Sequence, residues 1–566
     1  MKRPKTSFCF RLLGCLIVAA ILPFHVSRTR ADDGVRIDVD LRANEGPFVP
    51  IQAWFGYDEP NYTYTANGQK LLSELKEMSP APVRVRTHNL LTTGDGEADL
   101  KWGSTNAYTE NPEGKAVYEW SIVDKIFDAY AAAGVQPMVE IGFMPEAMSI
   151  HPDPYHVQFP ADIFQGGWSY PPKDYQRWGE LVERLAKHLG ERYGKHQAEQ
   201  WYWEVWNEPD IGYWHGSTDD YLKLYDAAVR GVRRALPGAR VGGPAITSPH
   251  NSKAAQFLAD FLDHCAKVRD QSTSGAVPLD FISFHVKGRP ELSEGHVRMG
   301  LDKELVAADE GFAIVRRYPE FAKLPIILSE ADPEGCAACS AQVNPQNAYR
   351  NGPLYASYTA AAMKGLLELQ DRRRVNLAGM LTWAFEFEGR NYFEGFRTLA
   401  TNGVDKPVLN FFRMAGMMAG DRVHTKSSAA VAIDDIEKSG VRQSADIDAF
   451  ATTDAHDAAV MVWNYFDDDV AAAPAMVTVN ISGLPAGAKR VRLTHYRIDD
   501  NHSNAWTAWK SLGKPEKPTP EQYAKLQAAG QLSLLAPANW VKVKSGEAKI
   551  SISLPRQAVS LLRLSW

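Results

Sequence analysis

Residues 121–141, SIVDKIFDAYAAAGVQPMVEI, decide the fold, because they join a helical pattern directly to a strand pattern. Apolar side chains recur at helical spacing through the first half of this stretch, and Gly134 suits the end of a helix. Ser121 and Asp124 stand at capping-box spacing, which predicts that the helix begins there. The run from Gln136 to Ile141 then reads as a buried strand.

The same alternation of apolar run and amphipathic helix recurs on both sides of this stretch. YQRWGELVERLAKHLG at residues 175–190 is a second such helix, and Gly190 predicts its end. A doubly wound sheet is the alternative, but no glycine-rich phosphate loop follows the first predicted strand. Eight alternations therefore predict an α/β fold, a (β/α)8 TIM barrel over residues 49–418. The predicted strands are residues 51–55, 83–87, 136–141, 201–206, 240–243, 281–285, 326–329 and 379–384.

The pattern of polar and apolar residues changes after the predicted barrel. Residues 419–566 contain short runs of alternating polarity separated by polar or Pro/Gly turns, which predicts an antiparallel β-sandwich accessory domain. Residues 32–48 include VRIDVDLRA, which alternates in the same way, so we predict an N-terminal strand that joins the sandwich. The sandwich is expected to pack against the barrel and could contribute to a homo-oligomer.

Composition and charge narrow the classes of protein. The 566 residues are 45% hydrophobic, which excludes a disordered, collagenous or low-complexity chain. No basic tract stands out beyond the N-terminus, which argues against a nucleic-acid partner. Residues 1–31 combine a basic start with a short apolar run and predict a secretory signal peptide, with an uncleaved membrane anchor as the alternative. Removal of residues 1–31 takes away six of the 62 Lys and Arg residues and no Asp or Glu. The remaining 56 basic and 68 acidic residues give a net charge of 56 − 68 = −12. We therefore expect a secreted or periplasmic protein without a membrane span.

Three cysteines remain outside the predicted signal peptide. Cys336 and Cys339 form a C-x-x-C motif, but the sequence has no second such motif and no nearby histidine pair that would indicate zinc. In an oxidising compartment a local disulfide is the favoured interpretation, and no thioredoxin-like context supports redox catalysis. Cys265 is predicted to be a buried free thiol. We expect no metal and no cofactor.

The chemistry is indicated by acids at predicted strand ends. Active sites of such barrels collect at the carboxyl ends of the strands. WEVWNEPD ends the fourth strand with Asn207 and Glu208, and IILSEADP places Glu330 at the end of the seventh. Glu330 alone could be a solvated loop acid, but two carboxylates facing each other across the barrel are what glycoside hydrolysis needs. One protonates the leaving oxygen, and the other attacks the anomeric carbon or activates water.

Other side chains at predicted strand ends are candidate sugar contacts. His88 and Asn89 end the second strand, and His285 ends the sixth, where it could donate to an ionised Glu330. Trp383 ends the eighth strand and could stack on a pyranose face, although core packing is the alternative. An apolar wall, formed by Trp203 or Trp206, would raise the pKa of Glu208 by desolvation and make it a proton donor.

Five segments carry a resemblance to a known family: WNEP at the fourth strand, VRVRTHNLL at the second, FISFHVKG at the sixth, and LTWAFEFEG and FRTLATNGVDKPVLN at and after the eighth. They resemble glycoside hydrolase family 39, a family of retaining (β/α)8-barrel enzymes that holds β-xylosidases and α-L-iduronidases. The resemblance covers most of residues 50–415 and implies a retaining mechanism, a chemistry that requires no metal. It implies that Glu208 is the acid/base, that Glu330 is the nucleophile and that Asn207 holds the sugar 2-hydroxyl. The two carboxyl groups should then lie about 5–5.5 Å apart.

The substrate prediction depends on charge near the pocket. Lys287 in HVKG and Arg397 in FRTL resemble the iduronidase pattern and would favour a uronic acid. Glu386 and Glu388 in FEFEG would instead bind neutral hydroxyls and repel a uronate. We therefore expect a β-D-xylosidase-like exo-glycosidase, with an α-L-iduronidase-type enzyme as the alternative and a non-catalytic sugar-binding barrel as a third hypothesis. Exo action is inferred from the long polar loop at residues 89–103.

Overall fold

A computed structural model describes residues 34–98, 102–154, 156–158, 163–267, 277–336, 338–383 and 386–566. The predicted signal peptide, residues 1–31, lies outside this part of the chain. Residues Val35–Trp566 form one compact unit. Within the described residues, no helix combines the length and the apolar character needed to cross a bilayer.

Eight parallel strands close into a barrel, which confirms the predicted fold. Each strand pairs with the next along the chain, and the eighth pairs with the first. The barrel strands are, in order, Trp54–Tyr57, Arg84–Thr87, Gln136–Ile141, Tyr202–Val205, Arg240–Ile246, Phe281–Lys287, Pro325–Asp332 and Asn376–Trp383. The helices that follow them are Ala66–Glu77, Ser121–Ala133, Tyr175–Tyr193 with Lys195–Glu199, Thr218–Ala235, Ser252–Lys267, Leu301–Val315, Pro353–Arg373 and Pro407–Gly416.

The helix Ser121–Ala133 ends as predicted but begins differently. Gly134 has a φ of 75°, and its N–H bonds back to the last turn of the helix. The predicted capping box at Ser121 is wrong, because Trp120 is the N-cap and has no side-chain cap. The N–H of Ser121 is instead bound by the carboxylate of Glu119, at 2.9 Å. Glu119 thus binds the backbone N–H of Ser121 that Asp124 was predicted to bind.

The second predicted helix runs past its expected end. It spans Tyr175–Tyr193, so Gly190 lies inside it, and the predicted stop at this glycine is wrong. A Cβ atom at Gly190 would lie 2.9 Å from a methyl group of Leu236, so the glycine permits close packing rather than a turn. Asp174 caps the start of the helix by accepting from the N–H groups of Gln176 and Arg177.

A mostly antiparallel ten-stranded sheet forms the second layer of the molecule. The strand Val35–Pro47 lies inside it, antiparallel to Asp421–Ser427 and parallel to Ala475–Ser482. The parallel pair departs from the predicted all-antiparallel arrangement, because a strand that joins from a distant part of the chain is not oriented by a hairpin. The other strands are Asp446–Thr453, Asp457–Tyr465, Arg490–Ile498, Ser533–Leu534, Asn539–Lys542, Ala548–Leu554 and Val559–Ser565, and the helices of this region are Ile433–Ser439, Ala505–Ser511 and Pro520–Gly530.

The sheet packs against the helix Pro353–Arg373, which follows the seventh barrel strand. Lys364 forms an ion pair with Asp448 of the sheet. Arg298 binds Asp468 through two nitrogens, at 2.6 and 3.1 Å. These contacts join sheet and barrel directly. The remaining short elements are the hairpins Tyr108–Glu110/Ala116–Tyr118, His156–Gln158/Ile163–Gln165, Glu291–Ser293/His296–Arg298 and Ala400–Thr401/Val404–Asp405, and the 3-10 turns Pro60–Tyr62, Glu146–Met148 and Pro345–Asn351.

Candidate active site

Glu208 and Glu330 meet at the carboxyl ends of the fourth and seventh strands. One carboxylate oxygen of each, together with a ring nitrogen of His285, lie within 4.8 Å of one another. Glu208 follows its strand in a left-handed conformation, with a φ of 47°, and its N–H bonds to Ala245 O. Such a conformation is costly for a residue other than glycine and is concentrated at functional sites.

Positive groups surround the carboxylate of Glu330. Lys287 Nζ lies 2.7 Å from its Oε2, and Arg397 Nη2 lies 3.3 Å from the same oxygen. Arg86 Nη1 lies 3.7 Å from Oε1. Burial by itself would raise the pKa of Glu330, but Lys287, His285, Arg397 and Arg86 together lower it well below its ordinary value. The carboxyl group is therefore held ionised.

His285 lies between the two acids. It pairs in register with Glu330 across the sixth and seventh strands. Its Nδ1 lies 2.9 Å from Glu208 Oε1 and 3.6 Å from Glu330 Oε1. The predicted contact to Glu330 is thus the longer of the two, and the hydrogen bond goes to Glu208. The predicted apolar partner Trp203 faces the helices instead, where its N–H donates to Ala198 O.

Arg86 is a member of the site that sequence reasoning missed. Its fully buried guanidinium bonds Glu204 Oε2 through Nε at 2.5 Å and donates to Asn207 Oδ1 through Nη2 at 2.9 Å. Glu140 Oε2 lies 3.6 Å from Nη2. Desolvation opposes the charge of Arg86, but the carboxylates of Glu204, Glu140 and Glu330 raise its pKa above the ordinary value. The sequence did contain an indication of this network, because Arg86, Glu140 and Glu204 are charged residues inside otherwise apolar barrel strands.

His88 and Asn89 are held by groups that sequence reasoning also missed. His88 is fully buried, with Nε2 3.2 Å from Asp58 Oδ1 and Nδ1 in contact with the carboxylate of Glu140. Asn89 has a φ of 56° and donates to Asp58 O at 2.7 Å. Trp102, from the long polar loop after the second strand, packs edge-on against the His88 ring. The loop therefore reaches the same end of the barrel as these residues.

Lys287 and Arg397 share a second carboxylate, Asp332, which sequence reasoning did not single out. Lys287 Nζ lies 2.6 Å from Asp332 Oδ1, and Arg397 Nε lies 2.8 Å from Oδ2. Both cations thus bind Glu330 and Asp332 together. The residue type and its position two after Glu330 could have indicated it, because alternate strand residues share a face.

The loop that follows the seventh strand holds Arg397 in place. Arg397 Nη1 donates to Glu334 O at 2.8 Å and to Gly335 O at 2.7 Å. The buried Arg350 binds the carboxylate of Glu334 and donates to the carbonyls of Cys336 and Cys339. These two cysteines form a disulfide, and Cys265 is a buried free thiol, as predicted.

The remaining predicted contacts are Glu386, Glu388 and Trp383. Glu386 is buried and accepts from the N–H of Gly403 at 2.5 Å, and no hydrogen bond or ion pair joins it to Glu208 or Glu330 in the described structure. Burial raises the pKa of Glu386 to about 7. Glu388 binds the N–H of Asn67 at a helix start. The backbone of Trp383 ends the eighth strand, and its side chain lies outside the described part of the chain.

The donor set of Glu208, His285 and Glu330 also has the composition of a metal site. A cation at this point would lie beside Lys287, Arg397 and Arg86, which already surround Glu330 with positive charge. Like-charge repulsion in a buried site works against such an ion. The arrangement fits acid–base and nucleophilic chemistry better.

A closed barrel with paired glutamates at the ends of its fourth and seventh strands defines a glycoside hydrolase. Comparison with known proteins agrees with this class, since residues 84–545 match the family described as Glycosyl hydrolases family 39. The chain belongs to this family, which confirms the resemblance drawn from its motifs.

Relatives of two activities are similar to this chain. A β-xylosidase of Caldicellulosiruptor saccharolyticus is 26% identical over 466 residues, covering 80% of this chain and 84% of that protein. An α-L-iduronidase of Homo sapiens is 30% identical over 388 residues, covering 64% of this chain and 56% of that protein. The crystal structure of a monomeric β-xylosidase from Caulobacter crescentus CB15 has a TM-score of 0.72 at 23% identity, covering 94% of this chain and 99% of that one. The last likeness concerns the fold alone.

Proposed function

We propose that the protein is a retaining exo-glycosidase in which Glu330 is the nucleophile and Glu208 the acid/base. The spacing of the two glutamates carries this proposal, because their carboxylate oxygens come within 4.8 Å. Retaining enzymes hold the two carboxyl groups about 5–5.5 Å apart, whereas inverting enzymes need roughly 6.5–9.5 Å to admit a water molecule.

The contacts of Glu330 distinguish its two oxygens. Oε2 is bound by Lys287 and Arg397, while the neighbours of Oε1, Arg86 and His285, lie at 3.7 and 3.6 Å. The less tightly bound Oε1 is the oxygen that would attack the anomeric carbon. The cations on Oε2 keep the carboxylate ionised and oriented for that attack.

Glu208 would act twice. In the first step it gives its proton to the leaving oxygen, and in the second it takes a proton from water that attacks the glycosyl-enzyme. Glu330 carries no charge while it is esterified, which makes proton loss from Glu208 easier in the second step. His285, 2.9 Å from Glu208 Oε1, orients the carboxyl group for both transfers.

Asn207 has one group left for the sugar. Its Oδ1 already accepts from Arg86 Nη2 at 2.9 Å, so its NH2 group is the donor that would bind a 2-hydroxyl. Hydrogen bonds to this hydroxyl strengthen in the oxocarbenium-like transition state. Arg86 therefore supports a substrate contact without touching the substrate.

A terminal β-D-xyloside is the first candidate substrate, released by a secreted enzyme. The β-xylosidase relatives support it, since the match spans more than four fifths of one such protein. The two cations near the nucleophile are also already paired with Glu330 and Asp332, so a neutral sugar adds no unpaired charge. Trp102, from the polar loop, supports a pocket closed on one side and hence exo action.

A uronide of the iduronidase type is the second candidate. Lys287 and Arg397 do converge beside Glu330, as the sequence pattern suggested. The acids expected to repel a uronate, Glu386 and Glu388, are instead bound to the backbone N–H groups of Gly403 and Asn67. That argument against a uronate is therefore weaker than the sequence indicated.

Two variants test the assignment of roles. Glu330→Ala and Glu208→Ala should each lose most of the activity, measured on an activated aryl glycoside. Azide should restore turnover only in Glu208→Ala, because a small anion can attack the glycosyl-enzyme in place of base-activated water. Glu180→Gln, which alters a partly exposed acid on the outer helix Tyr175–Tyr193, is the control and should retain activity. Full activity in Glu330→Ala would contradict the proposal.

A substrate panel tests the sugar and the mode of action. Methylumbelliferyl β-xyloside, α-iduronide and β-glucuronide should separate the two candidates by their kcat/KM values. On a xylo-oligosaccharide ladder an exo-enzyme releases single sugars, and a spread of internal products would reject exo action. Retention on xylan without hydrolysis of any glycoside would favour the non-catalytic hypothesis.

A further inference from the structure

Asp332 is a buried acid that neither the family roles nor the substrate contacts account for. It lies on the seventh strand two residues after Glu330, so both side chains belong to one face of that strand. It is 3% exposed and pairs in register with Lys287 of the sixth strand. A buried carboxylate persists when it is paired, and here the partners are the cations of the nucleophile.

The two oxygens of Asp332 are divided between those cations. Oδ1 lies 2.6 Å from Lys287 Nζ, and Oδ2 lies 2.8 Å from Arg397 Nε. The same two side chains reach Glu330 Oε2 at 2.7 and 3.3 Å. Glu330 and Asp332 thus compete for one pair of positive charges, and Asp332 has the shorter contact to each.

We propose that Asp332 is a positioning residue for the nucleophile, which holds Lys287 and Arg397 on Glu330 Oε2 and limits the positive charge that they place on it. The inference rests on the proposed function, in which Glu330 forms the glycosyl-enzyme. Asp332 acts through the two cations and does not touch the reacting carbon.

The consequence differs between the two chemical steps. In the first, a bond forms from Glu330 Oε1 to the anomeric carbon, the glycosidic bond breaks, and the proton of Glu208 goes to the leaving oxygen. Glu330 loses its charge in this step, so cations that stabilise the carboxylate oppose it. In the second, water attacks, its proton goes to Glu208, and the carboxylate of Glu330 reappears as the leaving group. The cations favour this step.

Charged groups from several elements face this cluster. Arg86 comes from the second strand, Glu208 follows the fourth, His285 and Lys287 lie on the sixth, and Arg397 follows the eighth. Behind Lys287 and Asp332 the buried Glu304 accepts from the Tyr358 hydroxyl at 2.5 Å. Besides Glu330 itself, Asp332 is the acid of this group that contacts both Lys287 and Arg397.

Asp332→Asn removes the charge and keeps the shape. We expect inactivation by a 2-deoxy-2-fluoro xyloside or iduronide with a good leaving group to slow by at least about 10-fold, because the first step loses charge on Glu330. Reactivation of the trapped ester should be unchanged or faster. The acid limb of kcat/KM should move down by about 1 pH unit, because the two cations then act fully on Glu330.

Two further variants make the test specific. Lys287→Met should move the acid limb up, and the double variant should return it towards the wild-type position, since one charge of each sign is removed. Asp332→Ser should shift the limb in the same direction as Asp332→Asn, and it replaces that variant if the latter does not fold. Equal slowing of both steps with an unmoved acid limb would show a merely structural role and overturn the inference. Failure of the proposed function looks different, because the wild-type enzyme would then form no trapped ester at all.

Discussion

Arg86→Met tests whether the buried charge network holds the barrel mouth together. The guanidinium bonds Glu204 at 2.5 Å and Asn207 at 2.9 Å, and it lies 3.6 Å from Glu140. Methionine fills similar space but leaves two fully buried carboxylates without their cation. Removing one partner from a buried ion pair costs about 3–5 kcal/mol. The folded-to-unfolded ratio should therefore fall roughly 150- to 5,000-fold.

Urea unfolding followed by tryptophan fluorescence measures this loss, since many of the tryptophans pack in or around the barrel. Arg192→Met is the matched control, because Arg192 binds Asp128 through two nitrogens at an exposed surface. Water screens such an ion pair, so the unfolding midpoint of Arg192→Met should stay close to that of the wild type. If both variants shifted the midpoint equally, the assignment of a large contribution to the Arg86 network would be wrong.

Two further predictions concern groups behind the catalytic pair. Burial raises the pKa of Glu304 to about 8, from 4.5, so its neutral form supports stability fully below about pH 4.5 and this support is lost as the pH rises through about 8. Glu304→Gln should therefore gain stability relative to the wild type between pH 5 and pH 9 in urea titrations, and a difference that does not change with pH would contradict this. Cys336→Ser/Cys339→Ser should raise KM with little change in the unfolding midpoint, because the disulfide closes a very short ring but steadies the carbonyls near Arg397. A large loss of stability with unchanged KM would reject that role.

The barrel could be predicted because its strands are short, apolar and regularly interrupted by amphipathic helices. The third strand, Gln136–Ile141, was predicted to the residue, and the others differ at their ends. Errors arose where one residue type has two uses. Gly190 read as a helix end, but it allows Leu236 to approach the helix. Ser121 read as a cap, but the carboxylate of Glu119 had already bound its N–H.

The residues proposed to react could be predicted from the sequence, but the buried charged residues that hold them in place could not. Glu208, Glu330 and His285 stand at strand ends, where barrel topology brings them together. Arg86, Glu140 and Glu204 lie inside strands, and a strand pattern does not say which inward-facing residues meet across a barrel. The hydrogen bond from the backbone N–H of Gly403 to Glu386 was not predicted, because such a contact has no signature in the sequence.

The strand Val35–Pro47 lies between two strands that are made much later, since its Asn44 binds Asp421 across 377 residues of chain. At about 5–20 residues per second, a ribosome needs roughly 20–75 s to produce even the first of those neighbours. The barrel helices and strands emerge during that interval, while the segment Val35–Pro47 still lacks the strands with which it pairs. Its alternating charges, Arg36, Asp38, Asp40 and Arg42, give it a polar face that discourages association with other nascent chains. Completion of the sheet is thus a late event that joins segments of the chain made far apart in time.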